Sequence, residues 1–117
     1  MFIALVIATA LLALITLNSS AAKLRKSTQV LDVIHGTVGV PLAAIPVLAA
    51  LEIAGALGII AGLWLAPLGV VAAAGLTLYF VSAAIGHLRA GDMKGIAMPL
   101  IPLALSIVVL VLRVITL

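Results

Sequence analysis

The chain has no cysteine, which excludes structural disulfides, CxxC redox motifs, thiolate metal sites and catalytic thiols within it. Aromatic residues make up 3% and charged residues 8% of the 117 positions. Stacking surfaces and basic stripes of the kind that hold nucleic acid cannot be built from so few, and no nucleic-acid partner is expected. Acids are scarcer still: Asp32, Glu52 and Asp92 are the whole set, and with His35 and His87 they offer too few converging ligands for a metal centre. A glycine-rich phosphate loop and a nucleotide fingerprint are both missing. Neither Ser82 nor Ser106 has a base three or four residues away in its own helix to make it a nucleophile. From the residues alone, no catalytic residue, metal or resident cofactor is expected.

What the chain has is apolar length. Hydrophobic residues reach 67% and mean hydropathy +1.54, against about 45–50% apolar residues in an ordinary soluble domain. A bilayer core about 30 Å thick takes about 20 helical residues per crossing. Four apolar runs have that length, at about 1–22, 41–65, 68–88 and 96–117. Backbone groups cannot stay unpaired in lipid, and the runs lack the alternation of a membrane barrel, so helices are the form expected. The fold class is therefore all-α: a polytopic membrane protein, one four-transmembrane-helix bundle filling residues 1–117. The first run has no basic residue before it, unlike a secretory signal, and is expected to be retained as a helix.

Between the first two runs, apolar residues at 30, 31, 33, 34 and 38 alternate with polar ones at 28, 29, 32 and 35. This spacing predicts a short amphipathic helix at the membrane surface, broken by Gly36, Gly39 and Pro41, with His35 solvated. Ala66-Pro67 predicts a tight turn joining spans two and three into a hairpin, and Pro99 and Pro102 fall in the first turns of span four. Loops one and three hold Lys23, Arg25, Lys26, Arg89 and Lys94, whereas the other side has only Arg113. This asymmetry predicts a multi-pass protein of the plasma or inner membrane with those loops cytoplasmic and both termini outside. Small residues recur at helical spacing: Ala54, Gly58 and Gly62 on span two, and Gly75, Tyr79, Ser82 and Gly86 on span three. These ridges suit close helix packing, within the bundle or between two copies.

Glu52 is the one acid inside a span. An ionised acid at bilayer depth costs about 2.5 kcal/mol or more, so it is expected to be protonated, paired or wetted. It is either a proton-carrying or ligand-binding group, or a structural hydrogen bond to a neighbouring helix. His87 lies at the end of span three beside Arg89 and Asp92. The antiparallel hairpin puts Glu52 and His87 in the same half of the membrane, where they could exchange protons or hold a polar headgroup, His87 being otherwise a polar boundary residue. Glu52, His87, Arg89 and Asp92 are thus the candidates for ligand binding or proton relay.

Together these residues resemble a known family. Leu51-Glu52-Ile53-Ala54-Gly55-Ala56-Leu57-Gly58, Gly62-Leu63-Trp64, Pro67-Leu68-Gly69, and Tyr79-Phe80-Val81 leading into His87-Leu88-Arg89-Ala90-Gly91-Asp92 are similar to the DoxX-like family of small four-helix membrane proteins. Lys23-Leu24-Arg25 and Gly39-Val40-Pro41 fit the same pattern. The likeness runs from about Lys23 to Arg113. It implies a four-helix membrane domain; some relatives are named as subunits of quinone-linked oxidoreductases, many have no assigned activity, and no established catalytic residue comes with it. The leading expectation is a non-catalytic accessory subunit that stabilises or regulates a larger membrane complex, such as one handling lipids or envelope components. The lipid bilayer and other membrane subunits would be its partners. The alternative is a quinone-interacting subunit of an oxidoreductase using Glu52 and His87. A small transporter ranks last, because the outer half of spans two and three shows little polarity beyond Thr77 and Tyr79.

Overall fold

The computed structural model describes residues 1–25 and 32–117. Four helices carry the fold: α1 (Phe2–Leu24), α2 (Ile45–Ala61), α3 (Ala66–Arg89) and α4 (Ala97–Ile115). A short 3-10 turn over Leu42–Ala44 leads into α2. All four are long and apolar enough to cross a membrane, and the 41 Å long axis of the bundle matches a bilayer with its headgroups. The chain is an all-helical, multi-pass membrane protein.

Each helix buries residues three or four apart. They are Leu5, Ala8, Leu12, Thr16, Ser20 and Lys23 on α1; Ile45, Ala49, Glu52, Ala56 and Ile59 on α2; Gly69, Ala73, Leu76, Phe80, Ala84 and His87 on α3; and Pro99, Pro102, Ser106, Val109 and Arg113 on α4. Most polar side chains of the helices, among them Thr9, Thr16, Lys23, Glu52, Ser106 and Arg113, are buried, while Ile7, Leu14, Val47, Trp64, Val71 and Leu78 are exposed. That polarity is the reverse of a soluble bundle and is what a hydrocarbon solvent demands. Helix α1 packs on α2 and α4, and α3 packs on the same two, so α1 and α3 stand at opposite corners.

Small residues set the α2–α3 crossing. A Cβ on Gly62 would collide with the backbone of Gly69, and one on Gly58 with the Ala72 methyl, so the two helices meet backbone to backbone at this end. The expected Ala66-Pro67 turn lies earlier: Gly62–Leu65 makes the reversal, and Ala66 and Pro67 already belong to α3. Proline suits a first helical turn, where its missing N–H would have had no partner. Arg113, counted from sequence as a free charge on this side, is buried instead. Its Nη1 donates to the Gly62 carbonyl at 3.2 Å and its Nη2 to the Thr116 carbonyl at 3.1 Å, so a cation occupies the C-terminal, negative end of the α2 dipole. Pro102 lies inside α4, where Ser106 Oγ donates to the Pro102 carbonyl at 2.7 Å.

The predicted surface helix falls partly outside the described residues. Within them, Asp32–Thr37 winds as one wide π-type turn. His35 is exposed and its Nδ1 lies 2.8 Å from the Val40 carbonyl, closing the turn before Gly39, whose φ of +86° only glycine adopts easily, hands the chain on to Pro41.

Candidate functional site

Helix α2 places Glu52 seven residues beyond Ile45, about 10 Å from the helix start, and on the buried stripe. Its side chain is fully enclosed, with 0% exposure. The partner comes from 29 residues away: Lys23 Nζ lies 2.5 Å from Glu52 Oε1. Lysine can do this because α1 runs antiparallel to α2. Its long stem then folds inward from the last turn of α1, and only 7% of the residue is exposed. Lys23 Nζ also donates to Ser19 Oγ at 2.7 Å. From α3, Tyr79 donates its hydroxyl to the same Glu52 Oε1 at 3.0 Å. Three helices are thereby joined through one carboxylate oxygen, while Glu52 Oε2 has no hydrogen-bond partner among the described residues. A buried ion pair stabilises little against an apolar replacement of the same shape, but losing one partner from it is expensive.

His87 has a separate partner. Its Nδ1 is 2.8 Å from Asp92 Oδ2, and Asp92 Oδ1 accepts the Gly95 N–H at 3.0 Å. The hydrogen bond with His87, then that from Gly95, hold the Asp92 carboxyl below the usual carboxylate range. Gly91, at φ +72°, allows the chain to turn back so that the Asp92 N–H reaches the His87 carbonyl at 2.9 Å. His87 and Asp92 thus clasp the α3–α4 loop, and Arg89 is exposed beside them with no partner among the described residues. Glu52 and His87, expected to approach each other, are each engaged elsewhere.

The two clusters share a cleft of about 1290 Å³. Lys23, Ser19, Tyr79 and His87 contribute to its wall, and so do Ala54, Gly55, Gly58, Gly75 and Ser82. The exposed Leu51, Ala54, Val71, Gly75, Leu78 and Ser82 show that it opens on the outer face between α2 and α3. Gly75 and Ser82, expected in a helix-packing seam, therefore line open space: a Cβ on Gly75 would meet nothing within 4 Å, and Ser82 Oγ donates only to its own helix at Leu78. The reason is divergence. Backbone contact at Gly62 and Gly69 closes one end of the helix pair, and towards the Lys23 end the helices part around Tyr79 and Leu76. Ala54 is likewise exposed on this groove, whereas Gly86 rests against the Val38 side chain.

The model of the DoxX-like family matches residues 7–109. The chain belongs to the DoxX-like family. No curated protein and no solved structure matches it. Among the described residues, no group of three or more histidines or acids is placed to hold a metal ion.

The sequence points to Glu52, His87, Arg89 and Asp92, whereas Lys23 reads there as a topology signal and Tyr79 as part of a packing ridge. A usable signal existed: Thr9, Thr16 and Lys23 recur every seven residues on the face of Leu5 and Leu12, which puts Lys23 inward.

Proposed function

We propose that this DoxX-like protein is a non-catalytic membrane subunit that stabilises or regulates a larger membrane assembly. The observation that carries the reading is the use made of Glu52. The one acid at membrane depth is enclosed and tied to Lys23 and Tyr79, which makes it a joint between α1, α2 and α3. The described outer faces are apolar and the described connections short, so the chain offers neighbours a rigid surface within the membrane. We also propose that the loops bearing Lys23 and Arg89 face the cytoplasm of a cell or inner membrane, since basic residues concentrate there. Tagged protein extracted in mild detergent should migrate as a larger complex with stoichiometric subunits, and deleting it should lower their steady-state levels. A lone chain with its own turnover would overturn this.

A second reading has its own support: Lys23, Tyr79 and His87 share the wall of one cleft, where they could hold a quinone headgroup and, with Glu52, relay its protons. Glu52→Gln should then abolish quinone-dependent activity of the assembly while leaving it intact; unchanged activity excludes the role.

A further inference from the structure

The cleft has a chemical polarity that neither reading uses. On α3 its wall runs from Leu68 to His87, about 28 Å of helix at 1.5 Å per residue, nearly the thickness of the hydrocarbon core. Apolar residues line most of that length, and the volume exceeds the roughly 300–1,000 Å³ of sites for compact ligands. Among the described residues, the charge-bearing side chains in the wall are Lys23, Arg25 and His87, all at one end, and no carboxylate contributes to the surface.

Two donors there are unsatisfied. A lysine ammonium has three N–H groups; Lys23 gives one to Glu52 and one to Ser19, and the third has no partner among the described residues, although the residue is more than nine-tenths buried. Arg25, one residue past the end of α1, has no acidic partner among the described residues. Glu52 balances Lys23 and Asp92 faces His87, so among the described cations of the cleft wall Arg25 is the one without an acidic partner. It stands at the boundary where phosphates of a bilayer lie.

We propose that this cleft binds a two-chain phospholipid of net charge −1, its phosphodiester held by Arg25 and the spare N–H of Lys23, its chains lying in the groove that is open at Gly75. Groove length and volume favour two acyl chains over one, and Arg25, the one such cation among the described residues of the wall, favours a permanent monoanion. Gly75 matters because a larger side chain there would fill the groove.

Native mass spectrometry of the full chain, titrated with dioleoyl phosphatidylglycerol, phosphatidylcholine, oleate or ubiquinone, tests this directly. Phosphatidylglycerol should bind one per chain and in preference to the other three. Arg25→Gln should weaken it roughly tenfold, the value of a charge-assisted hydrogen bond. Gly75→Leu alters no charge and meets no neighbouring atom within 4 Å at its Cβ; it should abolish binding while the helical circular dichroism is retained. Lys94→Gln, a loop cation outside the cleft wall, should change nothing. Equal binding of phosphatidylcholine, preference for oleate or ubiquinone, or undiminished binding in Gly75→Leu would each overturn the site. Equal losses in Arg25→Gln and Lys94→Gln would reduce the effect to general attraction between basic loops and anionic lipid, and overturn it as well.

Discussion

Replacing Lys23 by Met should destabilise the bundle more than any other single change of charge. The substitution keeps an unbranched stem for packing but leaves the fully buried Glu52 with only the Tyr79 hydroxyl. Removing one member of a buried ion pair costs about 3–5 kcal/mol. Glu52→Gln should cost less, about 1–2 kcal/mol, because the stranded cation sits in the last turn of α1 and can snorkel to the interface. Equilibrium unfolding in mixed detergent micelles, followed by circular dichroism, measures both. A loss below about 1 kcal/mol for Lys23→Met, or a larger penalty for Glu52→Gln, would refute the reasoning.

Two glycine substitutions should have opposite signs. Gly62→Ala forces α2 and α3 apart, because its methyl would overlap the Gly69 backbone, and should cost about 1–3 kcal/mol as an overpacked contact. Gly75→Ala enters open space and should gain up to about 1 kcal/mol of helix propensity; thermal unfolding of the two variants decides it. At the α3–α4 loop, Asp92 is held below its usual titration range by His87 and Gly95, so its ionised form favours the folded loop. That contribution is complete above the unfolded value of about 3.9 and disappears as pH falls through the lower folded value. The melting temperature of the native chain should therefore exceed that of Asp92→Asn near neutrality, with the gap closing below about pH 4; a gap independent of acid would exclude the clasp.

How much was legible depended on the range of each interaction. Spans are decided by local length and hydropathy, so four crossings could be read directly, with ends within about four residues of those observed. Small-residue ridges were legible as ridges but not as contacts. Gly62 and Gly75 have the same chemistry, and only the crossing point of α2 and α3 makes one a backbone contact and the other the floor of a groove. Glu52 was conspicuous because a charge in an apolar run violates the local rule, yet its role depended on Lys23, in a different helix and at its boundary.

By itself, then, the order of residues determined that this DoxX-like chain is a membrane bundle and that Glu52 must find a partner there, since burial of charge and the thickness of hydrocarbon apply to any helix locally. Tertiary structure alone decided which partner, which glycines touch and where the cleft opens. Helices apolar on every side can rotate about their axes with little change in hydropathy, so the inward face is chosen only when all four pack together and Lys23, Tyr79 and Glu52 meet.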